Sequence, residues 1–381
     1  MNLKILADSN IIFVCDAFKQ LGNVEIADGT KIKRENLIDK DILLVRSRTK
    51  VNKELLEGTK VKFVASATSG IDHIDVNYLS QNNIGFAYAS GSNSQSVAEY
   101  VIAAITYYAQ KNNVELTKLK LGIIGVGNIG SKVFNLATTL GIKCLLNDPP
   151  KKAITNSEMY LPLNEVLKES DIITLHVPLT ITGQHATINM VNEDFFSLVK
   201  KGCALINTSR GSIINENALK KFRNKLGFLV LDVWNNEPTP DPEVVSLCDI
   251  ATPHIAGYSY DGKVKGTQMI CDFTCSYFFK TNKWNAPKTE LKDNKIIIEE
   301  KEKSNPVFNA ILKAYPIFKD HKSFIDYNSL QSSKRAEFFE KIRKNYNYRY
   351  EFSNYLVVLD KIRYKKEREI ISALGFSITE N

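Results

Sequence analysis

Short apolar runs recur along the first ninety residues, separated by polar stretches of helical or turn character. They are Lys4–Ala7, Val24–Ala27, Ile42–Val45, Lys62–Ala65 and Gly85–Tyr88. Such runs predict a mostly parallel sheet covered on both faces. Ser96 and Glu99 then stand at capping-box spacing. The following Tyr100–Ala109 is apolar nearly all round, which predicts a helix buried between domains or subunits. A second series begins at Leu119, with strand candidates Leu121–Gly125, Lys143–Asn147, Ile172–His176, Ala204–Asn207, Phe228–Val233 and Asp249–Thr252. Helical stretches such as Asn192–Lys200 and Glu216–Lys225 lie between most of them. Six strands with helical crossovers predict a Rossmann domain. Tyr260–Lys280 reads as a long helix that returns the chain to the first domain. The pattern breaks near Asn285-Ala286-Pro287, and the rest mixes helical Val307–Ala314 and Ser333–Lys344 with a strand-like Tyr355–Leu359. The expected fold class is α/β: two Rossmann-like doubly wound parallel-sheet domains with a cleft between them, plus a small α+β C-terminal domain. The expected boundaries are 1–93 with 258–285, then 94–257, then 286–381.

Composition narrows this picture. The 381 residues are 44% hydrophobic and 24% charged, as in a globular protein. No apolar run reaches the roughly 20 residues of a membrane helix. The opening Met1–Asp8 turns acidic too early for a secretory apolar region, so a cytoplasmic location is expected. The six cysteines form no CxxC pair and read as reduced thiols, with no metal site expected. The net charge of +8 comes largely from the region after Lys288, where cations are interspersed with acids. That is a solvated surface, not a nucleic-acid arm, and no nucleic acid or membrane partner is expected.

Gly125-Val126-Gly127-Asn128-Ile129-Gly130 spells G-x-G-x-x-G. The pattern alone is weak, but here an apolar strand precedes it and Ser131–Leu140 can form a helix after it. Gly125 permits the tight turn, Gly127 lets a pyrophosphate approach the backbone, and Gly130 lets helix and strand pack closely. The helix N-terminus offers free N–H groups and a positive dipole end. Asp148, after the second strand, is placed to accept from ribose hydroxyls and to repel a 2′-phosphate, so NAD is expected over NADP.

Three further residues follow successive strands of the same series: Arg210, Glu237 and His254. In a parallel sheet the carboxyl ends share the edge where a dinucleotide binds. Oxidising a 2-hydroxy acid needs a base that titrates near neutrality, which His supplies. A carboxylate beside it orients the ring, and an Arg can hold the substrate carboxylate. Singly, each residue has an ordinary structural reading as a strand-end His, a turn Glu or a loop Arg. It is their convergence beside a dinucleotide fingerprint that points to chemistry. In the first domain, Arg46, Ser47, Arg48, Thr49 and Lys50 follow a strand, and alternation would set Arg46, Arg48 and Lys50 on one side to suit a phosphate.

At these residues the chain resembles the D-isomer-specific 2-hydroxyacid dehydrogenases. The carriers are Gly125–Gly130, Asn207–Gly211, Asp232-Val233-Trp234 with Glu237-Pro238, and Thr252–Gly257. Val45–Val51, Ala67–His73, Asn147–Pro150, His254–Ser259 and the tail segments Leu330–Tyr346 and Arg349–Val358 look most like a branch acting on a phosphorylated four-carbon acid. The resemblance implies Arg210 and Glu237 as active-site residues and His254 as proton donor or acceptor. It implies Ser47, Thr68 and Tyr258 as substrate contacts. Implied NAD contacts are Asn128, Ile129, Asp148, Thr208, Ser209, Asp232 and Gly257. It further implies oxidation of 4-phospho-D-erythronate on the route to pyridoxal phosphate, and a homodimer formed through 286–381; the apolar 97–109 helix is a second candidate for that interface. The chain departs from relatives at Val177, where a Thr often precedes the Pro, and at Asn207-Thr208-Ser209. The rival readings are a sibling such as phosphoglycerate dehydrogenase or a D-lactate-type reductase, and a non-catalytic NAD-sensing corepressor.

Overall fold

The computed structural model describes residues 2–289, 291, 293–299, 305–360 and 363–379. The chain forms two compact units, residues 1–93 with 259–290 and residues 94–258 with 291–381.

The first unit holds β1 (Leu3–Asp8), β2 (Gly22–Ala27), β3 (Ile42–Val45), β4 (Phe63–Ser66) and β5 (Gly85–Tyr88) in the order β2-β1-β3-β4-β5. Every pairing is parallel. All of β3 and β4 is buried, which is why those strands read as unbroken apolar runs rather than alternating ones. The helix Tyr260–Tyr277 belongs to this unit and starts where the Ser259 hydroxyl caps the Gly262 N–H.

The second unit contains β6 (Lys120–Ile124), β7 (Lys143–Asn147), β8 (Ile172–Leu175), β9 (Cys203–Asn207), β10 (Leu226–Leu231) and β11 (Ile250–Ala251). Their order is β11-β10-β9-β8-β6-β7, all parallel. Strand order reverses between β6 and β8, the crevice where doubly wound sheets bind nucleotides. A single bridge between Leu146 and Tyr160 extends the sheet beyond β7.

The tail of this unit carries a small parallel sheet, β12 (Lys295–Ile297), β13 (Leu356–Val358) and β14 (Ser377–Thr379), in that order. Only β13 is foreshadowed by the sequence pattern; β12 and β14 are three residues each, too short to announce themselves. The tail also has the helices Pro306–Ala314 and Ser332–Lys344.

The helix Ser94–Asn112 corrects one expectation. It begins two residues before Ser96, so Ser96 and Glu99 lie inside it and form no capping box. Their side chains turn to the tail instead: the Ser96 hydroxyl donates to Glu351 Oε1 at 2.7 Å, and Glu99 Oε1 accepts from the Phe352 N–H at 3.1 Å. The helix is apolar nearly all round because one unit covers it from two sides. Its residues share a buried cluster with Val133 and Ala137 of the helix Asn128–Thr139 and with Ala310, Ile311 and Ala314 of the tail. Among the described residues no helix is long and apolar enough to cross a membrane.

Candidate active site

In the second unit the carboxyl edge of the sheet is built by backbone constraint. His254 follows β11 with φ 57°, a left-handed conformation that non-glycine residues seldom adopt. Its N–H donates to Asp232 O at 2.7 Å. Asp232, 1% exposed, holds the rest of the turn: its carboxylate accepts from the Thr252 hydroxyl and from the Ile255 and Ala256 N–H groups at 2.7–2.9 Å. Burial pushes the Asp232 carboxyl up, against these donors and the nearby His254. Strained backbone of this kind persists only where surroundings over-determine it, and it clusters at functional sites.

The turn delivers the imidazole to a carboxylate. His254 Nδ1 lies 2.8 Å from Glu237 Oε2, and Glu237 Oε1 accepts from the Trp234 N–H at 3.0 Å. Burial pushes the Glu237 carboxyl up, but the charge and hydrogen bond of His254, the Trp234 N–H and Arg343 together hold it below the ordinary range. It is therefore an anion at neutral pH. The His254 side chain is 36% exposed, so the pair is not sealed inside the core.

Arg210 leaves β9 in a turn tied by Asn207. Asn207 Nδ2 donates to Arg210 O at 2.9 Å, and Asn207 Oδ1 accepts from the Ser209 N–H and hydroxyl. The Ser209 hydroxyl is thus committed within the turn. A Cβ on Gly211 would meet Trp234 C at 2.0 Å, so only glycine lets this turn pass beside Trp234 and hence beside Glu237.

At the other end of the edge, Gly125 has φ 85°, and a Cβ on Gly130 would meet Gly125 O at 2.0 Å. A Cβ on Gly127 would meet no atom within 4 Å, so the turn faces open space before the helix Asn128–Thr139. Gly127 and Asn128 are exposed and Ile129 is partly buried. Asp148 Oδ2 accepts from the Val126 N–H at 2.8 Å and Oδ1 from the Lys151 N–H at 3.0 Å. Each oxygen keeps a lone pair for a ribose hydroxyl. These residues fit NAD: an open glycine cradle at a helix N-terminus, followed by an anchored carboxylate.

His176 and Thr208 show what the strand pattern alone does not separate. His176 Nε2 bonds Thr174 Oγ1 at 3.0 Å, and Thr208 Oγ1 is 3.5 Å from His176 Nδ1. Burial lowers the His176 pKa to about 3, so it is a neutral packing residue. Gly257 and Tyr258 are partly buried just past the His254 turn.

In the first unit, Thr68 donates its hydroxyl to Gly70 O at 2.8 Å and lies 2.7 Å from Ser66 Oγ, which itself sits 3.1 Å from His73 Nε2. Arg46 is partly buried and Ser47 exposed. The alternation expected across 46–50 does not hold. The Thr49 N–H bonds back to Arg46 O in a turn, and the buried Thr49 hydroxyl donates to Gly29 O at 2.8 Å. Arg48 and Lys50 instead line a cavity of about 500 Å³ with Thr30, Lys33 and Arg34.

Two residues that reach the stretch after His254 carry no signal of it in the strand pattern, Arg343 and Arg349, both in the tail. Arg343 Nη2 donates to the Tyr258 hydroxyl at 3.0 Å. The buried Arg349 donates to Ser96 O and Ala256 O and lies over the Tyr315 ring. No spacing rule links residue 343 to residue 258; only packing of the tail does.

Residues 93–256 match the family model for the D-isomer specific 2-hydroxyacid dehydrogenase NAD-binding domain. The erythronate-4-phosphate dehydrogenase of Wigglesworthia glossinidia brevipalpis is 37% identical over 98% of each chain. That of Shewanella baltica (strain OS185) is 38% identical over 98% of this chain and 99% of its own. Among solved structures, D-lactate dehydrogenase from Aquifex aeolicus, complexed with NAD and lactic acid, is 29% identical. It covers 72% of this chain and 96% of its own, with a TM-score of 0.60. The cofactor-bound 3-phosphoglycerate dehydrogenase of Entamoeba histolytica, 24% identical, shares the fold at a TM-score of 0.64, covering 76% of this chain and 99% of its own. These structures stop short of the chain's full length, whereas the erythronate-4-phosphate dehydrogenases run its whole extent, tail included. The chain belongs to the erythronate-4-phosphate dehydrogenase family, within the NAD-dependent D-isomer specific 2-hydroxyacid dehydrogenases.

Proposed function

We propose that this protein oxidises 4-phospho-D-erythronate to (R)-3-hydroxy-2-oxo-4-phosphooxybutanoate, in the cytoplasm, on the route to pyridoxal 5′-phosphate. The observation that carries the reading is the His254–Glu237 pair, 2.8 Å apart and opening on one side to solvent. NAD, when bound, is the acceptor of hydride from C2 of the substrate. His254 Nε2 removes the C2 hydroxyl proton as general base. Glu237, anionic and anchored by the Trp234 N–H, orients the ring and stabilises the imidazolium that results. Arg210 holds the substrate carboxylate with its planar guanidinium and polarises the developing carbonyl. Tyr258 contacts the substrate from the same unit. Arg46, Ser47 and Thr68 of the first unit are further substrate contacts.

The cofactor is held by Gly125, Gly127, Asn128, Ile129 and Gly130 at the phosphates and by Asp148 at the ribose. Thr208, Ser209, Asp232 and Gly257 line the nicotinamide side, the last three through backbone, since Ser209 and Asp232 already use their side chains within the turns. The functional domains are then 1–93 with 258–285 for substrate, 94–257 for NAD, and 286–381 for homodimerisation. Light scattering of the purified protein tests the dimer.

The deciding experiment measures NADH formation with 4-phospho-D-erythronate beside 3-phosphoglycerate and D-lactate. Strong preference for the four-carbon phosphate is expected. Equal rates would remove the substrate assignment and leave a general 2-hydroxy acid dehydrogenase. NADH binding with no turnover on any 2-oxo or 2-hydroxy acid would favour a cofactor-sensing role.

A further inference from the structure

The segment His254–Tyr258 is gripped at its far end by the tail. Arg349 donates to Ala256 O from a buried position. Arg343, on the helix Ser332–Lys344, donates from Nη2 to the Tyr258 hydroxyl at 3.0 Å, and its guanidinium faces the Tyr258 ring 5.6 Å from the centroid. The Phe339 ring, at 5.6 Å from the same guanidinium, backs it from one helical turn away. Arg343 Nε has no hydrogen-bond partner among the described residues, and Nη1 lies 3.8 Å from Glu340 Oε1. Burial of this guanidinium opposes its charge, but Tyr258, Glu237 and Glu340 more than offset that cost and hold it charged. In return its charge contributes to holding Glu237 anionic.

We propose that Arg343 is a positioning residue of the active site, fixing the Tyr258 hydroxyl, so that the tail is a working part of the site. This rests on the proposed reaction, in which Tyr258 contacts substrate. Two features set it apart from simple tail packing. The bond is to a side chain four residues from the proton-transfer histidine, and it is charge-assisted, so it fixes a direction as well as a distance. With the guanidinium N–H donating to its oxygen, the Tyr258 hydroxyl directs its own proton away from Arg343.

The test is a double-mutant cycle on the full-length protein, read as kcat and KM for 4-phospho-D-erythronate with NAD. Arg343→Gln should lower kcat/KM about tenfold, the worth of one hydrogen bond to a charged group, chiefly by raising KM. NADH affinity, read by fluorescence, should stay at the wild-type value. Arg343→Lys, which keeps a charged donor, should recover most of the loss. In the Tyr258→Phe background, Arg343→Gln should cost less than about twofold, because the partner hydroxyl is already gone. An effect of the same size in both backgrounds overturns the proposal, and so does an Arg343→Gln enzyme with wild-type KM. Should Arg343→Gln not fold, Arg343→Met, which keeps the apolar stem and removes the donor, reads the same coupling in a cycle against Tyr258→Phe, and additivity there overturns it equally. If the wild-type protein does not turn over 4-phospho-D-erythronate, it is the proposed function that fails; turnover without coupling fails this inference alone.

Discussion

His176 leaves β8 and His254 leaves β11 at the same edge of one parallel sheet. In the sequence each is a histidine closing an apolar run. In the fold they are opposites. His176 is 9% exposed, bonded to the neutral hydroxyl of Thr174, and burial alone drives its pKa to about 3. His254 is more open, sits on a left-handed turn and has an anchored carboxylate at 2.8 Å. A strand end therefore supplies only a place. A counter-charge on one nitrogen and access on the other make a histidine a proton carrier.

The largest effect should come from removing the base itself. His254→Gln should reduce kcat/KM by about a thousandfold, within the range general acid–base groups contribute, with little change in melting temperature. A loss below tenfold would mean that the contrast with His176 has no chemical content. Next comes the counter-charge. Glu237→Gln keeps an acceptor but removes the charge, and should cost about a hundredfold in kcat with NADH affinity unchanged.

Gly211→Ala probes the scaffold under the pair. Its Cβ would press on Trp234 C at 2.0 Å, so backbone has to move. We expect a destabilisation of about 2 kcal/mol or more, seen by thermal melting, together with partial loss of activity because Trp234 N–H anchors Glu237.

The smallest effect on catalysis should come from His176→Gln, with neutral-pH activity within about threefold of wild type. Its signature lies in stability against pH. The folded His176 takes a proton only near pH 3, whereas the unfolded chain takes one near the ordinary 6.5. Between those values the unfolded state binds more protons, so falling pH destabilises the wild-type fold. His176→Gln lacks this linkage, and its denaturation midpoint should fall less from pH 7 to pH 4. An unchanged slope would show that His176 is not the neutral residue its burial makes it.

Much of the molecule is legible before any coordinates. All eleven strands of the two large sheets are marked by apolar runs, most plainly β3, β4, β8 and β9, which are buried throughout and have no polar alternation to dilute the signal. Gly125, Gly127 and Gly130 are legible because each answers a local steric demand. Other features depend on contacts far along the chain. Ser96 and Glu99 look like a cap and are in fact polar points on a buried helix, paired with Glu351 and Phe352 some 250 residues on. Arg46, Arg48 and Lys50 look aligned on an extended segment until the Arg46–Thr49 turn separates them.

The sequence by itself determined the fold class, the place of the dinucleotide cradle and the residue types at the catalytic edge, because these follow from hydrophobic period and local backbone sterics. Only the tertiary structure decided how those residues are armed. It set Glu237 against His254 and spent Asp232 on the turn that holds His254. It also silenced His176 by burial and brought Arg343 from the tail to Tyr258. Desolvation and charge pairing depend on what surrounds a group in three dimensions, and neither leaves a periodic trace along the chain.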